Sequence, residues 1–162
     1  MRPLLLALLS TLTLLGATDP GTRTYQLREF NLGSHLTGPR VTEGALKGKA
    51  VAIVCMGTLS SNRNAWAAAW TPQFEELHKS SSAKVTVIGV AWGKGLAAKD
   101  FAEYAKKFQL EFTLLAGIDH APFEVPRDGH CLIFNPEGKL LYSGQPNKGN
   151  ADFKAALKTI TE

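Results

Sequence analysis

Apolar and polar positions alternate with two different periods along this chain, and the periods mark its elements. Residues 50–56 (AVAIVCM) are almost wholly apolar, and residues 84–91 (KVTVIGVA) are β-branched and apolar. Short runs of this kind predict strands buried on both faces. Gly57 is expected to end the first. Between them, Ser60, Ser61 and Asn62 can cap a helix over about 63–78, with Pro72 inside it and expected to kink it. Residues 99–108 (KDFAEYAKKF) place Phe101, Tyr104, Ala105 and Phe108 on one helical face. Residues 112–115 predict a short strand, and residues 131–134 (CLIF) another. The sequence Asn135, Pro136, Glu137, Gly138 is a tight turn that returns the chain as a hairpin over 139–143. An amphipathic helix follows over 152–160. Upstream, residues 24–32 read as extended and 33–50 as turn-rich. Helices alternate with strands first, and a hairpin closes the order. That predicts an α/β fold with a mixed central sheet, helices on both of its faces, and a right-handed first crossover.

The first segment has a different pattern. Arg2 precedes an apolar run from Leu4 to Leu15, then Gly16 and Ala17, then polar Thr18 and Asp19. This is the layout of a secretory signal peptide over residues 1–17, leaving one domain over 24–162. A run of about 12 residues is short for a stable span. The competing reading is an uncleaved tether or core helix. Export would place the chain in a periplasm or outside the cell, and no stable membrane span is expected after signal removal.

Composition narrows the function. The chain has 162 residues, 44% apolar and 20% charged, enough for one ordinary core. Its net charge of +4 is scattered, which argues against a nucleic-acid stripe. Two cysteines, Cys55 and Cys131, are too few for a stapled scaffold or a zinc site. His35, His78, His120 and His130 are dispersed; Asp119 with His120, and Asp128 with His130, are the only conceivable metal pairs, and no metal is expected. No cofactor motif is present. Gly93 and Gly95 after Trp92 do not make a phosphate loop, although Trp92 stands just past a strand end, where α/β sheets bind ligands. Trp66 and Trp70 share one helix face, for core packing or for a partner.

Four segments in order resemble a known family. Residues 46–54 (LKGKAVAIV), 85–90 (VTVIGV), 101–115 (FAEYAKKFQLEFTLL) and 132–139 (LIFNPEGK) are similar to the thioredoxin-like superfamily, in its alkyl hydroperoxide reductase/thiol-specific antioxidant, or redoxin, branch. The resemblance implies a thioredoxin-like fold over about residues 24–162. It also implies thiol chemistry at a cysteine that opens the helix after the first core strand, where the helix N-terminus favours thiolate. A thioredoxin-type spacing puts that CxxC on Ser60, Ser61, Asn62 and Arg63; a peroxiredoxin-type spacing puts the cysteine near Asn64. Neither register contains a cysteine. The family's cis-proline position falls on Gly129, with Pro126 three residues early, and an active-site arginine is matched only by the offset Arg127. A vestigial surface of Ser60, Ser61, Asn62, Arg63, Asn64, Arg127, Gly129 and His130 is therefore expected. The leading expectation is an exported, redox-inactive binding or structural module with an unidentified protein or small-molecule partner. The rival is a thiol–disulfide oxidoreductase or peroxiredoxin-like enzyme using Cys55 and Cys131 in a displaced arrangement, either as a cross-strand disulfide or with Cys131 activated by His130 or Arg127.

Overall fold

The computed structural model describes residues 23–58, 65–93 and 97–162. The expected signal peptide and the segment from Ser60 to Asn64 lie outside the described residues. The elements, in order, are a 3-10 turn (Leu27–Glu29), β1 (Asn31–Leu32), β2 (His35–Thr37), α1 (Glu43–Leu46), β3 (Ala50–Thr58), α2 (Ala65–Ser81) and β4 (Val85–Trp92). They continue with α3 (Ala98–Lys107), β5 (Thr113–Ala116), β6 (Ile118–His120), β7 (Asp128–Phe134), β8 (Leu140–Gly144) and α4 (Ala151–Thr161).

Six strands form one sheet in the order β2-β5-β4-β3-β7-β8, and β1 pairs with β6 beside it. The sheet is mixed. β3, β4 and β5 are mutually parallel, while β2 runs antiparallel to β5 and β7 to β3, with β8 antiparallel to β7. The apolar runs explain the centre. β3 is buried at every position from Ala50 to Gly57, as a strand covered on both faces must be.

Alternation along each strand divides the core in two. On one face Ala52, Val54, Met56, Val87, Cys131 and Ile133 meet Phe74 and Leu77 of α2, Phe101 and Tyr104 of α3, and Phe153, Ala156 and Ile160 of α4. On the other, Val51, Ile53, Cys55, Ile88, Val90, Leu132 and Phe134 meet Phe30 and a cover of half-buried side chains. Helices thus occupy both faces, but unequally: the three long ones share one face, and among the described residues only the 3-10 turn and the single turn of α1 send side chains, Leu27 and Leu46, to the other. Gly89 sits where a Cβ would come within 2.9 Å of both Leu114 and Phe112, so this strand position has no room for a side chain.

The helices start where their sequence can satisfy free amides. Asn150 accepts from the amides of Asp152 and Phe153 at α4, and Asp100 accepts from the Ala97 amide at α3. α2 runs through Pro72 to Ser81. Two expectations are revised. Gly57 does not end β3, because the strand passes through it to Thr58 by way of a register shift. The upstream segment is not merely extended and turn-rich: it holds the 3-10 turn, β1, β2 and α1. No helix among the described residues is long and apolar enough to cross a membrane.

Candidate functional site

The C-terminal ends of β3 and β4 converge on the first residues of β7, and the candidate site is built there. Thr58 pairs with Trp92 across the parallel strands, and Met56 pairs with Asp128 across the antiparallel ones. The register shift after Cys55 frees the Gly57 N–H to donate to the Arg127 carbonyl at 2.9 Å. Gly57 has φ of +79°, and a Cβ there would overlap the Asp128 carboxylate. The exposed Arg127 places its guanidinium 5.7 Å from the centre of the half-buried Trp92 ring, within reach of a cation–π attraction. Below that ring lies Gly117, with φ of +72°; a Cβ there would sit 2.5 Å from the indole nitrogen. Two left-handed glycines therefore seat the two side chains that flank Arg127, an arrangement that ordinary L-residues could not adopt without strain.

The cysteines lie at adjacent register positions on paired strands, but their side chains point to opposite faces of the sheet. Val54 is the partner of Cys131, and Cys55 is the partner of His130. Both cysteines do lie on adjacent antiparallel strands, as expected, but inside them and not at one end: Cys55 is followed by three more residues of β3, and Cys131 is preceded by three of β7. Side chains on neighbouring positions of a strand point to opposite faces. Cys131 therefore sits in the core beneath the long helices, and Cys55 in the core on the other face. The cross-strand bridge of the rival reading is thus ruled out. Joining the sulfurs would require a one-residue slip, which would invert every side chain of the strand. Both thiols are free and buried, at 2% and 0% exposure. Burial, helped by the Asp128 charge, pushes the Cys55 thiol up to about 12. Burial pushes the Cys131 thiol still higher. Thiols held in this form are poor nucleophiles, because the thiolate is the reacting species.

His130 does not assist Cys131, because consecutive strand residues face opposite sides of the sheet. It stands opposite Cys55, and its Nε2 lies 2.9 Å from the Ser143 hydroxyl. Burial lowers its pKa. Gly129, with φ of +62°, is buried as the second residue of β7. Asp119 and His120 belong to β6 and Asp128 and His130 to β7, so the two conceivable metal pairs lie in different sheets. Trp70 packs against the helix-side core; the side chain of Trp66 lies outside the described residues, as does Gly95.

Sequence patterning singles out Trp92, Arg127, Gly129 and His130. It does not reveal that Gly57 lies against Asp128 or that Gly117 lies against Trp92. A glycine immediately beyond an apolar strand core is the available signal, and on its own it reads only as a stop.

No protein-family model matches this sequence, and no curated protein sequence matches it. Solved structures do match. A thiol:disulfide interchange protein of the thioredoxin family from Chlorobium tepidum is 16% identical, over 88% of this chain and 99% of that one, with a TM-score of 0.61. A thiol-disulfide isomerase from Corynebacterium glutamicum is 14% identical, over 83% and 94%, with a TM-score of 0.59. A secreted disulfide oxidoreductase from Mycobacterium tuberculosis is 17% identical, over 77% and 90%, with a TM-score of 0.52. These chains share an architecture and little sequence. Together with the mixed sheet and its flanking helices, they show that this protein has a thioredoxin-like fold.

Proposed function

We propose that this chain is an exported thioredoxin-fold protein without thiol–disulfide chemistry, acting as a binding module at the end of its sheet. One observation carries the reading: the chain's two cysteines are buried on opposite faces of the sheet, with their side chains pointing away from each other. Redox exchange needs an accessible thiolate and a partner sulfur. Neither cysteine supplies the first, and the pair does not supply the second. What remains at the sheet end is a binding arrangement. Arg127 over Trp92 offers a charged donor fork beside an aromatic face, and glycine contacts hold the Trp92 ring and the Asp128 carboxylate in place. Arg127, Gly129 and His130 form one side of the proposed surface, and Ser60 to Asn64 belong to the same proposal from their place in the sequence. Export rests on the signal-like pattern of residues 1–17 and is supported by the secreted nature of one structural neighbour.

Reduction of insulin disulfides in the presence of dithiothreitol tests the redox half of this reading. The protein is expected to give no rate above the uncatalysed background. A catalysed rate that is lost in Cys55→Ala or Cys131→Ala would overturn the reading in favour of an oxidoreductase.

A further inference from the structure

The sheet face that lacks long helices carries a second concavity, which shares no residue with the sheet-end site. It is a groove of about 1010 Å³, at the upper end of the volumes usual for small-molecule sites. Its floor is apolar. Phe30 and Leu115, each 7% exposed, form the base, and the half-buried Val41 and Leu46 form one wall. The cover here is thin because the 3-10 turn and α1 together span only a few residues.

The charges on the rim are unequal. At the α1 end Arg40 and Lys47 are both exposed, and neither has an ion-pair partner among the described residues. Glu43 is the one carboxylate among the described residues that lines that end. At the far end Arg28 and Glu137 balance each other in formal charge. His35 already engages the Gly38 carbonyl through Nε2, at 2.9 Å. An apolar trough with an excess cation at one end complements a molecule with an apolar tail and a single anionic head.

We propose that this groove binds a small amphipathic carboxylate, a single-chain fatty acid in chemical class. The tail lies along Phe30 and Leu115, and the carboxylate is met by Arg40 and Lys47. This site is independent of the sheet-end reading and stands or falls separately from it.

The test uses the full chain and three probes below their micelle concentrations: dodecanoate, dodecyltrimethylammonium and dodecanol. Calorimetric titration is expected to show saturable one-to-one binding of dodecanoate, and at least tenfold weaker binding of the cationic probe. Amide shifts in the NMR spectrum should map to residues 40–47 and 136–138. Exposed ion pairs are individually weak, so the double charge reversal Arg40→Glu with Lys47→Glu is used; it should weaken dodecanoate at least tenfold and remove the preference over the cation. Both side chains are exposed, so the variant should keep its fold, checked by an unchanged melting temperature in the absence of ligand. Equal binding of all three probes would overturn the proposal. So would shifts that map elsewhere, or a stable dimer through this face that dodecanoate does not dissociate.

Discussion

Replacing Gly117 by alanine should unseat Trp92, and the size of the effect follows from the geometry. Gly117 has φ of +72°. A non-glycine residue in that region costs about 1–2 kcal/mol. The new Cβ would also lie 2.5 Å from the indole Nε1 and 3.0 Å from two ring carbons. Relief of that overlap requires the ring to withdraw by roughly 1 Å, since carbon contacts settle near 3.5–4.0 Å. The expected total loss is about 2–4 kcal/mol, and a domain of this size loses roughly 2–4 °C in Tm per kcal/mol. Gly48→Ala is the control. It has φ of +74° and nothing within 4 Å of the methyl group that alanine would add, so it isolates the backbone cost. Thermal unfolding followed by circular dichroism should therefore show a larger loss for Gly117→Ala, by at least about 1 kcal/mol. Tryptophan emission should shift in Gly117→Ala and stop shifting when Trp92→Phe is added. Equal losses for the two variants, with unchanged emission, would refute the claim that Gly117 seats the ring.

The core and the histidine give further expectations. Cys131→Ser buries a hydroxyl in an apolar layer and should cost about 1–3 kcal/mol, more than Cys131→Ala, in urea unfolding. Gly89→Ala should cost about 1–3 kcal/mol by overpacking against Leu114 and Phe112. For His130, burial lowers the folded pKa below its ordinary value. The unfolded chain then binds more protons between the folded pKa and about 6.5, so stability falls as pH drops through that window. Tm measured at pH 7.5 and 5.5 should fall further in the wild type than in His130→Gln; an equal fall in both would contradict the burial of a neutral ring.

How much of this is legible in the sequence depends on the range of the interaction that decides it. β3, β4, α3 and α4 are visible because their patterns are local: continuous apolar runs for the strands, and Phe101, Tyr104, Ala105 and Phe108 on one helical face. β2 is not visible. His35–Thr37 is three half-buried residues whose strand character comes only from pairing with β5, far along the chain. The cysteines show the limit most clearly. Their strands are antiparallel neighbours, as the order of elements implies. Whether the sulfurs face each other depends on a single residue of register, Val54 rather than Cys55 opposite Cys131. Nothing local encodes that parity. The approach of Arg127 to Trp92 is equally non-local, although each residue draws attention by its position.

If neither cysteine is available for chemistry in the folded protein, thiol accounting by mass will show it. Alkylation with iodoacetamide at pH 8 is followed in the native and the denatured protein, before and after reduction. A thiol pushed up to about 12 carries roughly two-thousandfold less thiolate at pH 8 than an ordinary thiol near 8.5, and burial slows its reaction further. Two free thiols are expected before and after reduction, both unreactive in the native protein and both labelled once it is unfolded. Rapid native labelling of either cysteine, or a disulfide that reduction opens, would contradict this.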